Sequence, residues 1–108
     1  MDKIALMTER LPRDEVDIPG LGTVTVRGLS RYELLLAGKA GTDDLVASER
    51  RLVSMGMVDP EMSEDDVAAW QKCSPAGEIA PVVLKINELS GITREASKEA
   101  YKSLRDES

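Results

Sequence analysis

Four groups of residues in this 108-residue chain are of types that can do chemistry: the adjacent carboxylates Asp43-Asp44 and Asp65-Asp66, the lysines Lys39 and Lys85, the lone thiol Cys73, and the glycine-rich Gly20-Leu21-Gly22. Adjacent residues on a helix point about 100° apart, so neither acidic pair can share a proton or a metal ion. Both pairs instead stand where helices are expected to begin, and negative charge is favoured there by the helix dipole. A lysine becomes a general base only when buried, and the apolar pattern around Lys85 puts it on the polar side. The chain has no histidine at all. That removes the commonest general base, the commonest zinc ligand and any partner for Cys73, whose acidic surroundings also disfavour a thiolate. A single cysteine allows neither an intramolecular disulfide nor a thiolate metal cluster. Gly20-Leu21-Gly22 lacks both the helix start and the lysine that a phosphate loop needs, and no Gly-x-Ser-x-Gly elbow exists. The sequence therefore assigns no catalytic, cofactor-binding or metal-ligating residue, leaving only hard-cation coordination by the carboxylates of residues 59–66 as an inorganic role. The expectation is a protein that is not an enzyme.

Composition narrows the class further. The net charge is −6, with −1 on the first 54 residues and −5 on the rest. An acidic surface repels phosphate backbones, so nucleic acid is not expected as a partner. The start of the sequence has no sustained apolar stretch of the secretory type and no run approaches membrane-spanning length, so the expected location is the cytoplasm. Phenylalanine is absent and the aromatics are Trp70, Tyr32 and Tyr101. The core must therefore be built from Leu, Val, Ile, Met and Ala, and modest stability is expected of it.

The elements that would position these groups read as one mainly α domain over residues 14–108, preceded by a flexible arm at 1–13, for which a short helix would also fit. Four to five helices are expected, with one N-terminal β-hairpin at about 15–28. The hairpin signal is the alternation of Val16 and Ile18 and then of Thr23 to Arg27, on either side of Pro19-Gly20-Leu21-Gly22. Ser30 and Glu33 form a capping box that opens a helix through Leu34, Leu35 and Leu36. Asp44 opens a second helix that stops at Gly56, with Glu49, Arg50 and Arg51 toward the outside. Val58 to Met62 reads as a loop. Ser63 caps a third helix whose buried face holds Val67 and Trp70, with Cys73 a further candidate for it. The central helix carries Ile79, Val82, Val83, Ile86 and Leu89 on one face, widened by Leu84, and Gly91 is its stop. It starts near Ala80, or at Pro75 with a bend at Pro81. A last helix presents Ala96, Ala100, Tyr101 and Leu104.

Some apolar residues exceed what one face can bury. Leu34, Leu35 and Leu36 are consecutive and must diverge. Leu34, Leu36, Met55 and Met57 therefore belong either to a helix pair buried on two sides within the domain or to a surface that contacts a partner, methionine being adaptable to varied shapes. Trp70 reads either as the aromatic plug of the core or as an anchor for a partner.

Two stretches resemble a known family when taken together. One is Ile18-Pro19-Gly20-Leu21-Gly22-Thr23-Val24-Thr25-Val26-Arg27-Gly28-Leu29-Ser30-Arg31. The other is Trp70-Gln71-Lys72-Cys73-Ser74-Pro75-Ala76-Gly77-Glu78-Ile79, followed by Ile86-Asn87-Glu88-Leu89-Ser90-Gly91 and Ala100-Tyr101-Lys102. In this order and spacing the chain resembles the tail assembly chaperones of long-tailed bacteriophages and prophages. The resemblance implies a cytoplasmic assembly factor that binds the tape measure protein, keeps it soluble and helps the tail tube protein polymerise around it, with self-association into a homo-oligomer left open. It also implies that the chain is like the short form of a pair whose longer member arises by frameshifting. The rival reading is a structural virion component, such as a head–tail connector or tail completion protein.

Overall fold

A computed structural model describes residues 1–40 and 44–92. Along the chain these form α1 (Lys3–Met7), β1 (Arg13–Ile18), β2 (Gly22–Arg27), α2 (Arg31–Ala40), α3 (Leu45–Gly56), β3 (Met57–Asp59), α4 (Glu64–Cys73) and α5 (Ala76–Leu89). The three strands make one antiparallel sheet in the order β1-β2-β3. This corrects the mainly α expectation: among the described residues the fold is mixed, five helices with a three-stranded sheet, and the hairpin supplies two of its three strands. The expected helix over Ala96 to Leu104 lies outside the described residues.

The hairpin turns where the glycines require it. The Leu21 amide donates to the Ile18 carbonyl at 3.0 Å, with Pro19 and Gly20 between them. Gly20 has φ 83°, the left-handed value that the second central position of a type II turn demands. The register pairs Val16 with Val24 and Asp14 with Val26, so these residues share one face. That face meets α5, and Val16, Ile18 and Val26 are buried there. The other face carries Arg13, Glu15, Asp17, Thr23, Thr25 and Arg27, and is polar.

β3 is the element that sequence patterning missed. Its three residues are too short to show alternation, and Pro60 follows at once. It pairs with β2 through Thr25↔Asp59 and Val26↔Met57, with an irregular step between them. That step sets three residues of β3 against two of β2, the count of a β-bulge. No loop separates it from α3: the Met57 amide donates back to the Val53 carbonyl as the strand begins.

Helix starts follow their caps. The Ser30 hydroxyl accepts from the Glu33 amide at 3.1 Å, and a Glu33 carboxylate oxygen accepts from the Ser30 amide at 3.1 Å. Ser63 and Asp66 make the same reciprocal pair at α4, and Asp44 accepts from the Ala47 amide at α3. The central helix begins at Ala76 behind Pro75, with Pro81 inside it. Pro81 has no amide to give the Gly77 carbonyl one turn back. Its last turn closes as a Schellman motif: Gly91, at φ 83°, donates to Glu88, and Ile92 donates to Asn87. Leu84, expected to widen the buried face, is instead 59% exposed.

Among the described residues the completely buried large side chains are Ile86, Val26, Val53, Val67 and Val82, all β-branched. Gly56, read in the sequence as a helix stop, is a site of close approach: a Cβ there would lie 2.5 Å from Ile86 Cδ1 and 2.8 Å from its Cγ1. Ile86 has no exposed surface to move into. Gly56→Ala should therefore destabilise the domain by about 1–3 kcal/mol through overpacking. Gly38→Ala, in α2 with open space around the new methyl, should be neutral or stabilising by up to about 1 kcal/mol. Urea denaturation of the two variants beside the wild type measures the difference, and equal effects would show that Ile86 accommodates the methyl.

Candidate protein-interaction surface

The chemistry-bearing residues are taken up by structure. Asp66 closes the α4 capping box and Asp44 caps α3. Cys73 is free and exposed at the end of α4. Lys85 lies between Asp14 at 3.5 Å and Glu88 at 3.2 Å, and its pKa is raised, mainly by its hydrogen bond to Glu88. No group of three metal-ligating side chains stands together among the described residues. The side chain of Lys39 and all of Asp43 lie outside the described residues.

The first stretch behind the family resemblance ends in an elbow that docks onto the end of the second. Arg27 grips Glu33 through two bonds, Nη1 to Oε1 at 2.8 Å and Nη2 to Oε2 at 2.6 Å. The same carboxylate holds the Ser30 amide, so one side chain ties the end of β2 to the start of α2. Next to it, a Cβ on Gly28 would overlap the Leu89 carbonyl, so only glycine lets the elbow sit this close to α5. The Leu29 amide donates to Ser90 Oγ at 2.8 Å, and Ser90 Oγ donates to the Ile86 carbonyl at 2.6 Å. The charge-assisted bonds from Arg27 are the main reason the Glu33 carboxyl titrates at about 2, well below its ordinary 4.5.

The other ends of the two stretches face each other across an open apolar cleft of about 350 Å³. The hairpin contributes Ile18, Leu21 and Val24, and the opposite wall is Met57, Met62 and Trp70. Trp70 is half-buried, on the core side of the two readings made of it. It packs against the core, and its Nε1 donates to Glu78 at 2.7 Å, which fixes the ring as one wall of the cleft. Leu21, at the tip of the hairpin, is 79% exposed. A more polar cleft on the far side of β3 is lined by Arg13, Arg27, Met55, Met57 and Glu61. Arg27 is already committed there to Glu33.

The residues singled out for partner contacts are mostly set inward. Met57 is 5% exposed and belongs to the core, while Leu34 and Met55 are half-buried against it. Leu36 is half-buried, and its carbonyl accepts weakly from Arg51 at 3.4 Å. On and around these helices the outward apolar side chains include Tyr32 (71%) and Leu35 (60%) on α2, Leu45 (85%) and Val46 (51%) at the start of α3, Leu84 on α5, and Leu21. The divergence of Leu34, Leu35 and Leu36 was the right signal, but the capping box sets the helix phase that turns Leu35 outward. Leu21 was legible too, since a residue between Gly20 and Gly22 at a hairpin tip has nothing to bury against. Glu49 and Arg50 do not point freely outward: both bind Gln71, joining α3 to α4, with Arg50 Nε to Gln71 Oε1 at 2.6 Å.

No helix among the described residues is long and apolar enough to cross a membrane. The chain matches no family model, no curated protein and no solved structure.

The elbow makes a prediction about acid. The folded state lowers the Glu33 pKa, so the stability contributed by its ionised form is complete above about pH 4.5 and is lost as the pH falls toward about 2. Glu33→Gln keeps a capping oxygen but loses the ion pair. Its melting temperature should lie below wild type at neutral pH, with the gap closing between pH 4.5 and 2. Thermal melts followed by circular dichroism across this range check it, and a gap independent of pH would mean that the ion pair contributes nothing.

Proposed function

We propose that this chain is a tail assembly chaperone of a long-tailed bacteriophage or prophage. It acts in the bacterial cytoplasm without catalysing a reaction, binding the tape measure protein, keeping it soluble and aiding polymerisation of the tail tube protein. The observation that carries this reading is that the sequence stretches behind the resemblance are joined in space. Residues 27–31 pack on residues 86–91 through Gly28, Leu89 and Ser90, and residues 18–24 face Trp70 across the apolar cleft. Their shared presence is thereby accounted for by one folded unit.

The surface supplies a physical basis for the activity. A tape measure protein is long, helical and striped with apolar residues, and it aggregates unless those stripes are covered. Tyr32, Leu35, Leu45 and Val46 offer apolar contact on a molecule of net charge −6, whose self-repulsion keeps a loaded complex in solution.

Co-expression with a phage tape measure protein tests the proposal. The soluble fraction of the tape measure protein should rise, the two should co-purify, and mass spectrometry should find the chain absent from mature particles. Leu35→Asp and Val46→Asp should each abolish solubilisation while leaving stability within about 0.5 kcal/mol, as expected of exposed positions. A stoichiometric amount of the chain in purified virions would favour a head–tail connector or tail completion protein instead.

A further inference from the structure

α5 presents an outer face with no charge on it. Glu78 is turned aside to Trp70, whose Nε1 it binds at 2.7 Å, and Lys85 lies between Asp14 at 3.5 Å and Glu88 at 3.2 Å. Between Glu78 and Lys85 the sequence is Ile79-Ala80-Pro81-Val82-Val83-Leu84. Ile79 and Val82 are buried in the core, whereas Ala80, Pro81 and Leu84 are exposed. Leu84 stands four residues after Ala80 and three after Pro81, so the three share one strip of surface. A helix that faces only water carries polar residues there, and this one does not.

The end of the same helix turns the chain back on itself. The Gly91 amide donates to the Glu88 carbonyl at 3.0 Å and the Ile92 amide to the Asn87 carbonyl at 2.9 Å, so residue 93 starts within one turn of the helix end. A connection this short sets a following helix antiparallel beside the one it leaves. Residues 93–108 lie beyond the described part of the chain, and their sequence has a pattern that suits such a neighbour. At helical spacing Ala96, Ala100 and Leu104 recur every four residues, with Ser97 and Tyr101 beside them. Every charged residue from Arg94 to Arg105 falls on the other side. A helix over residues 94–105 is about 18 Å long, and α5 from Glu88 back to Gly77 measures about 17 Å on the same rise. Alone in water a helix of that length is marginal, so it needs a surface to lie on.

We infer that residues 94–105 of this chain form a helix that packs antiparallel on the outer face of α5, over Ala80, Pro81 and Leu84. Attachment decides the occupant. A segment joined through one tight turn acts at an effective concentration of about millimolar, ahead of any separate molecule competing for the same strip. The face is thereby closed to partners, and the apolar contacts open to them are those of α2 and the start of α3. The inference rests on α5 and the chain that leaves it, not on the chaperone proposal.

The experiment is amide hydrogen exchange on the full chain, followed residue by residue by NMR at several protein concentrations. In the wild type the amides of Ala96 to Leu104 should exchange at least about tenfold more slowly than in an unstructured chain, at a rate independent of concentration. Leu84→Asp on α5 and Ala100→Asp on the facing segment should each return them to the unstructured rate while the amides of β2 stay protected. Should Leu84→Asp also expose the amides of β2, Ala100→Asp alone decides, since it replaces no residue of the core. Wild-type amides already at the unstructured rate, or protection that survives Ala100→Asp, would overturn the inference. Protection that grows with concentration would give the face to a second copy and overturn it as well. No tape measure protein is present, so this failure and that of the chaperone proposal are separately visible.

Discussion

The structure depends on how closely backbones can approach in a core that has no large flat rings to fill it. Ile86 sits against the backbone at Gly56, and the elbow at Gly28 sits against the backbone at Leu89. These two contacts are three residues apart on α5, so the helix is pinned to α3 through the first and to the sheet's exit through the second. Between them the β-branched side chains of Val26, Val53, Val67 and Val82 close the space. Such side chains lose little rotamer freedom on burial and pack well on a pleated sheet, but they are short. A core of short side chains is continuous only where the elements touch almost directly, and two glycines provide that.

Much of the architecture could be read from the sequence because it is written in local chemistry. Ser30 with Glu33, Asp44, Ser63 and Gly91 each act through hydrogen bonds to backbone atoms at most a few residues away, and each marks the helix end it was read to mark. The hairpin was legible for the same reason, through Gly20. What failed was non-local. β3 exists because Val26 and Thr25 offer it a ladder, not because Met57-Val58-Asp59 has a strand-like pattern, and its recruitment changes the fold class. Gly56 ends α3 as it was read to do, but its second role could not be seen, since its partner Ile86 is thirty residues away. The partner-contact residues show the same limit. That three consecutive leucines diverge follows from helix geometry, but which of them faces outward depends on how α2 is docked by the Arg27–Glu33 pair.

That pair gives the elbow an unusual economy of parts. One carboxylate caps a helix, holds an amide and binds a guanidinium, so the direction in which α2 leaves the sheet is set by a single residue. The exposed face of α2, with Tyr32 and Leu35, inherits its aim from Glu33. Surface and scaffold are therefore not separate layers here: the residue that orients the apolar patch is also one of the few ionised groups drawn partly out of water.

The seamless passage from α3 into β3 bears on which lengths of chain this fold can tolerate. A helix places successive residues 100° apart and a strand 180° apart, and at Gly56 and Met57 the two periods are locked in phase with nothing between them. One residue gained or lost there would rotate Gly56 away from Ile86 and turn the strand over, moving Met57 from the interior to the outer face. Related chains of differing length should therefore keep the spacing from α3 to Asp59 constant, as a gear keeps its tooth count while the shaft is cut to any length.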